Sequence, residues 1–389
     1  MTTTAAAPSP QEVPAGLKGV AVTETRIGDV RGLEGFYHYR QYSAVDLAAE
    51  RSLEDVWQLL VDGRLPPDPA SRSAFATEVR SHRRLPPQVT GLLPGIAETT
   101  SAAGPLGGLR TALSAFGCAA GMRPLWDLDA AAGRHDLIRL AAATPTLVAA
   151  LYRLASGEAP IEPDQDLGHA ANYLWMVTGH RPDPAVARAL EQYLILTLDH
   201  GFNSSTFTAR VITSTGADAA AAVVGAIGAL SGPLHGGAPS RALDTLDAIG
   251  TAEQAEDFIR GAVGRGERIM GFGHAVYRTD DPRSLMLRHV AQNLGGDLVD
   301  LAVQVEQTVL AVLADLKPLR PLYANVEFYA GVVMDRCGLP RELFTPTFAI
   351  SRVIGWCANI AEQAEERQLI RPAARYVGPT PPEAVPVNF

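Results

Sequence analysis

The sequence predicts a mainly α-helical protein with a small β piece near its start. From Ser43 onward, apolar residues recur at the 3.6-residue spacing of helices. β-Prone residues are confined to about residues 20–39, where short pieces alternate with glycine. Strands and helices nowhere alternate as a doubly wound sheet requires, and no repeat of solenoid period is visible.

The elements follow in chain order. Residues 1–15 are mostly Thr, Ala and Pro, without arginine or an apolar stretch, and are expected to form a loose tail and neither a signal nor a transit peptide. Ser52, with Asp55 three residues on, makes a capping-box-like start for a helix presenting Val56, Trp57, Leu59 and Leu60. Thr144-Pro145 is expected to open a second helix through Leu147, Val148, Leu151 and Leu154, the proline standing where its missing N–H costs nothing. Asp183-Pro184 repeats the device for a helix running through Leu190, Tyr193 and Leu196 to His200, with Gly201 as its stop. Residues 219–230, AAAAVVGAIGAL, are apolar all round and predict a buried, closely packed helix. Leu301, Ala302, Val305, Val309, Val312, Leu313 and Leu316 mark another, and Thr345-Pro346 starts the last, with Phe348, Ile350, Val353, Ile354 and Cys357.

Composition excludes whole classes of function. A chain of 389 residues, 47% hydrophobic and 19% charged, is long and apolar enough for a compact core split over one or two domains. Its net charge of -9, with no basic block, predicts no nucleic-acid partner. Cys118, Cys337 and Cys357 are widely spaced and form no C-x-x-C pair, so neither a disulfide framework nor a zinc site is expected. Apolar runs broken by Gly, Pro or charge predict no membrane span, and a cytoplasmic location is the expectation. Lys18 and Lys317 are the only lysines and neither lies in a glycine-rich loop, which excludes a Walker A ATPase and argues against Schiff-base chemistry.

The candidate chemistry sits on histidines in glycine-rich surroundings. GPLHGG at 232–237 presents His235, and GFGH at 271–274 presents His274 ahead of VYR at 276–278 and DPR at 281–283. Rings so placed either cap a helix end or act as acid, base or oxyanion donor near neutral pH. GFGHAV is not G-x-G-x-x-G and follows no strand, so it is no dinucleotide fingerprint. His200 is expected in the last turn of its helix, where the macrodipole favours the imidazolium, ahead of Asn203. Glu327 stands inside the aromatic run YANVEFY, where desolvation would raise its pKa toward that of a useful base, or where it pairs structurally. Arg283, Arg352 and Arg371 either pair with acids or hold a dicarboxylate through their planar forks, and spacing alone leaves both open.

Taken together, HGFNSSTFTAR at 200–210, GPLHGG, GFGHAVYR with DPR, NVEFY at 325–329 and FAISRVIGW at 348–356 resemble the citrate synthase family. GHAANYLWMVTG at 168–179 and IRPAARYVGP at 370–379 add to the resemblance, which runs in the family's order from about Gly16 to Pro379. It implies a helical homodimer with a large domain at 16–237 and 338–389 and a small domain at 238–337, the cleft closing over oxaloacetate before the acetyl-CoA site forms. Glu327 would take a proton from the acetyl methyl group, His235 would hydrogen-bond the thioester oxygen, and His274 would donate to the oxaloacetate carbonyl. His200, Asn203, Arg283, Arg352 and Arg371 would hold oxaloacetate, Arg371 from the partner subunit. Met270, Gly271, Phe272, Gly273 and Arg278 would face CoA. No cofactor is permanently bound in such an enzyme; acetyl-CoA is a co-substrate. Two alternatives stay open, a 2-methylcitrate synthase using propionyl-CoA and a non-catalytic paralogue that binds CoA or oxaloacetate.

The chain departs from the family pattern twice. Glu327 stands where the usual base is Asp, and the extra methylene moves a carboxylate by roughly 1 Å, a displacement worth on the order of 100-fold in rate. Ala275 stands where many bacterial relatives carry Arg, which is expected to weaken a CoA phosphate contact.

Overall fold

The computed structural model describes residues 13–17, 19–233, 235–236, 238–274, 276–317, 322–382 and 385. Most of the tail expected at 1–15, and Ala275, lie outside the described residues. The β piece is a three-stranded antiparallel sheet in chain order, β1 (Gly28–Arg31), β2 (Phe36–Tyr39) and β3 (Tyr42–Ser43), with Gly28 opposite Tyr39 and His38 opposite Ser43. Residues 20–27 are not strand, and the third strand falls beyond the predicted span.

Helices follow: α1 (Ala44–Glu50), α2 (Leu53–Asp62), α3 (Pro69–Ser81), α4 (Pro87–Thr90), α5 (Leu93–Thr99), α6 (Gly104–Ala119), α7 (Ala130–Ala155), α8 (His169–Thr178), α9 (Pro184–Thr197), α10 (Ser204–Thr213) and α11 (Ala219–Leu230). Then come α12 (Ala238–Ile249), α13 (Ala255–Gly264), α14 (Pro282–Leu294), α15 (Asp297–Leu316), α16 (Val326–Arg336) and α17 (Phe344–Glu366). Local capping chemistry sets several of their starts. Ser52 accepts from the Asp55 N–H at 3.2 Å and Asp183 from the Ala185 N–H at 2.8 Å, each satisfying a donor the helix leaves open.

Two expectations fail for tertiary reasons. Pro145 does not open a helix; it lies inside α7, whose residues from Leu140 to Leu151 are all buried. Burial of that whole stretch offsets the roughly 3 kcal/mol an internal proline costs. His200 is not in the last turn of α9, which ends at Thr197; the ring stands three residues past the helix, so the predicted macrodipole contact is absent. Gly201, at φ +63°, does turn the chain there.

Helices α7 and α17 form the centre. Helix α17 packs on α7, α9, α10 and α11, burying Ile350, Val353, Ile354 and Trp356, while α11 packs along α10 and α6 as its all-round apolar pattern predicts. Among the described residues only α7 is long and apolar enough to cross a membrane, and 78% of its apolar 18-residue stretch is buried inside the fold, as in a core helix. Arg210 on α10 is fully buried and meets α17 four times: Nη1 lies 2.6 Å from Glu362 and 3.4 Å from Asn359 Oδ1, Nη2 3.1 Å from Glu366, and Nε donates to Gln363 at 2.9 Å. From α12 to α16 the helices pack mostly among themselves, α14 and α12 against α16 and α13 against α15, with α14 and α16 also seated on α9.

Candidate active site

The site forms where the turn after α9, the turn after α11, the 270–283 segment and the starts of α16 and α17 converge. A cavity of about 570 Å³ is lined by His200, Asn203, His235, His274, Arg283, Asn325, Glu327, Phe348 and Arg352, with Asp29 and Val30 from β1. The structure thus brings together both glycine-flanked histidines, the candidate acid and two of the three candidate arginines.

His274 is held by its own loop. Its Nδ1 accepts the backbone N–H groups of Val276 at 3.0 Å and Tyr277 at 3.1 Å. Two donors on Nδ1 favour the neutral tautomer with its proton on Nε2, in which the Arg283 Nη2 donor makes no hydrogen bond to that nitrogen. That nitrogen lies 3.3 Å from Arg283 Nη2. Burial, then Arg283, pushes the ring down to about 4, so it is neutral near pH 7. His200 packs against the rings of Tyr37, His274 and Tyr277, with Nε2 3.0 Å from the Tyr277 hydroxyl. Burial, then Arg283 and Arg352, holds it well below the usual histidine range, reversing the imidazolium expected from a helix end.

Arg283 is buried at the start of α14, where Asp281 is the N-cap and accepts the Arg283 N–H. Asp281 also forks onto the guanidinium, at 3.0 Å from Nε and 2.8 Å from Nη2, while the rings of Tyr37 and Tyr277 flank it at 5.9 and 5.8 Å. Arg352, buried on α17, donates through Nε to the Thr197 carbonyl at 2.9 Å and lies over the Phe348 ring at 4.7 Å. Neighbouring Asp199 is raised to about 6 by burial, against Arg352 and a hydrogen bond from Asn359.

His235 follows the turn that ends α11, its N–H donating to Gly232 O at 2.9 Å. Its Nε2 lies 2.8 Å from Ser205 Oγ, which is also 2.8 Å from Asn203 Oδ1. Burial, then Arg352, pushes this ring down to about 4 as well. Asn203 is the N-cap of α10, accepting the Thr206 N–H at 3.1 Å, so its place at the cavity wall is set by the helix it starts.

Glu327 sits in the first turn of α16, capped by Asn325, which accepts the Glu327 N–H at 3.0 Å. Glu327 also lines a second cavity of about 520 Å³, formed by residues 266–274 with Leu313, Lys317, Leu322 and Asn325. His274, Gly273, Asn325 and Glu327 are common to both.

Two predicted site residues stand elsewhere. Arg278 lines neither cavity; it is exposed, and its Nη1 reaches back to the His274 carbonyl at 3.4 Å. Arg371 is exposed and lines a separate groove with Leu17, Val20, Phe207, Glu366 and Leu369. Sequence reasoning missed Tyr37, Asp29 and Val30, which carry no local signal. It also missed Asp281, Arg268 and Lys317, of which Asp281 had one, standing two residues before a candidate arginine as the cap of the helix that proline starts.

Comparison with known proteins bears on what this cleft belongs to. The family model described as citrate synthase, C-terminal domain, matches residues 16–373. The chain is 36% identical to the citrate synthase of Synechocystis sp. over 93% of this chain and 90% of that one. It is 38% identical to the putative citrate synthase 2 of Mycobacterium bovis, over 97% and 96%. A crystal structure of citrate synthase from Pyrobaculum aerophilum superposes with a TM-score of 0.85 at 33% identity, covering 96% of this chain and 94% of that one. The ternary complex of carboxymethyl coenzyme A and oxaloacetate with the Thermoplasma acidophilum citrate synthase superposes at 0.87 with 26% identity, covering 97% and 99%. Fold and matches define an enzyme, an acyltransferase. The chain belongs to the citrate synthase family.

Proposed function

We propose that the protein condenses acetyl-CoA with oxaloacetate and hydrolyses the resulting citryl-CoA to citrate and CoA. The observation that carries this is the pair of adjoining cavities, one lined by arginines and histidines suited to a dicarboxylate, the other reaching the same Glu327 and His274. The relative solved with carboxymethyl coenzyme A and oxaloacetate supports the same two occupants. Oxaloacetate lies in the first cavity, its carboxylates held by Arg283, Arg352 and His200, with Asn203 at the wall. Its ketone oxygen receives the Nε2 proton of His274. The CoA thioester enters along Met270–Gly273, with Lys317 and Arg268 as cations for its phosphates.

Glu327 takes a proton from the acetyl methyl group as the thioester oxygen gains charge, and His235 donates to that oxygen. For this the single Ser205 proton, donated at rest to Asn203 Oδ1, turns to His235 Nε2, which leaves the ring's own proton on Nδ1. The new carbon–carbon bond forms as the ketone oxygen takes the His274 proton, and water then cleaves the thioester. Residues 16–237 with 338–389 form the large domain and 238–337 the small one, closing over the cleft to exclude water. In a homodimer, Arg371 from the exposed C-terminal arm joins the partner's carboxylate site. No resident cofactor takes part.

Thiol release from CoA, followed with a thiol reagent on wild type and Glu327→Gln, tests this. Turnover of acetyl-CoA by wild type, lost by 100-fold or more in the variant, is expected. A propionyl-CoA preference would make the protein a 2-methylcitrate synthase. A wild type that is stabilised by oxaloacetate but releases no thiol would make it a binding paralogue.

A further inference from the structure

The N-terminal hairpin reaches across to the loop that carries His274. Its base is fixed by the buried Tyr37 and Tyr39, whose hydroxyls donate to the carbonyls of Leu196 at 3.0 Å and Ile195 at 2.8 Å, at the end of α9. Its tip, between Arg31 and Phe36, lies against residues 276–280. The Arg278 N–H donates to the Gly32 carbonyl at 3.0 Å. A Cβ on Gly32 would overlap the Val276 carbonyl oxygen and stand 2.9 Å from its Cγ1, and one on Gly35 would stand 2.8 Å from Thr279 Oγ1. Backbone therefore meets backbone at the tip with no room for a side chain.

Three consecutive N–H groups of that loop are committed. Those of Val276 and Tyr277 hold His274 Nδ1, and that of Arg278 holds Gly32. We propose that the hairpin tip is a clamp on this loop and that Gly32 is a positioning residue, keeping the 276–277 N–H pair on Nδ1 so that Nε2 presents its proton to the substrate carbonyl. The inference rests on the condensation reading above. Displacing the Val276 carbonyl shifts the adjoining peptides by an amount on the order of 1 Å, enough for roughly 100-fold in rate.

The test compares wild type, Gly32→Ala and Leu33→Ala, the last at a tip side chain that is 79% exposed. Gly32→Ala is expected to lower kcat for thiol release 10- to 100-fold while thermal unfolding moves by only a few degrees, and to move the acid limb of kcat/KM upward as Nδ1 loses its donors. The charged and titratable groups around that ring, Arg283, Asp281, Arg278, His200, Tyr277 and Glu327, are unchanged in the variant. Leu33→Ala stays at wild-type rates.

If wild type and Leu33→Ala are both silent, the condensation reading fails. If both turn over and Gly32→Ala matches them, or loses rate equally at every pH in step with its folded fraction, the clamp is wrong. Should Gly32→Ala not fold, Gly35→Ala is compared with Gly35→Ala plus Thr279→Ala, both carrying the strain of alanine at φ +63° but only the first meeting the Thr279 hydroxyl: the second is expected to recover part of the rate the first loses. No recovery would overturn the proposal.

Discussion

Acidification should weaken this fold through His169, and the size of the effect follows from its surroundings. The residue opens α8, 1% exposed, its N–H donating to Glu54 Oε1 at 2.9 Å and its ring edge-on to Trp57 at 5.3 Å. Burial, then the Arg83 guanidinium, pushes the ring down from 6.5 to about 3. The native state therefore binds this proton far more weakly than the unfolded chain, so stability is lost as pH falls through 6.5, and the loss continues until the folded value is reached. At pH 5 the unfolded ring is 1.5 units below its midpoint and the native ring is still neutral, so at 1.36 kcal/mol per unit about 2 kcal/mol of stability is lost relative to pH 7. His169→Phe keeps a flat ring of similar size and removes the titration. Urea unfolding of both proteins at pH 7 and pH 5, at fixed protein concentration, gives the double difference, in which the contributions of His200, His235 and His274 cancel. Wild type should lose about 2 kcal/mol more than His169→Phe. Equal losses would show that burial at this position does not disfavour the charged ring.

Other consequences are equally open to measurement. With His235 and His274 both pushed to about 4, the acid limb of kcat/KM should lie near pH 4 and not near 6.5, which a pH–rate profile reads directly. Ser205→Ala removes the partner of His235 Nε2 and should lower kcat at least tenfold with little change in the KM for oxaloacetate or in thermal unfolding. Arg210→Ala removes the buried cation beside Glu362, which keeps the Thr25 hydroxyl and the Arg26 N–H, and should cost about 1.5–3 kcal/mol in denaturant unfolding. Glu327→Asp should lower thiol release on the order of 100-fold, because the shortened carboxylate stops short of the acyl methyl; higher turnover than wild type would show the natural glutamate to be the misplaced group.

What was legible in the sequence was what local chemistry decides. Ser52 and Asp183 cap their helices because a side-chain oxygen and an open N–H lie within three residues of each other, and 219–230 is buried because no face of it is polar. Pro145 was misplaced because the rule that sets proline at a helix start weighs only the local hydrogen bond, whereas burial from Leu140 to Leu151 acts on the whole helix. The histidines and arginines of the cleft could be named from their glycine-rich or apolar surroundings and from family resemblance, but not their protonation. His200 was expected as an imidazolium from sequence position, yet two buried arginines and desolvation reverse that. Tyr37 was invisible as a site residue because its contacts with His200 and Arg283 join positions more than 150 residues apart.

The first turn of α16 explains why the glutamate at 327 was the hardest point to judge from sequence. Asn325 spends its whole side chain on local backbone, Oδ1 on the Glu327 N–H and Nδ2 on the Gly273 carbonyl at 2.9 Å, while its own N–H donates to Gly271 O at 2.8 Å. Gly273 N–H returns to Tyr323 O at 2.8 Å, and the Val326 N–H donates to Asp281, the acid that holds Arg283. A Cβ on Gly271, at φ +84°, would stand 2.9 Å from Phe328 Cβ, so the glycine loop lies flat on the helix turn. The loop of His274, the cap of Arg283 and the backbone of Glu327 are therefore joined by hydrogen bonds from main-chain groups to the Asn325 and Asp281 side chains. A backbone tied on three sides cannot retreat to absorb a methylene without also moving His274 and Arg283, so the reach of the carboxylate is set by its side chain alone. On the proposed condensation, that makes glutamate part of the spacing between acid and substrate, a property of the assembled loops that no local stretch of sequence records.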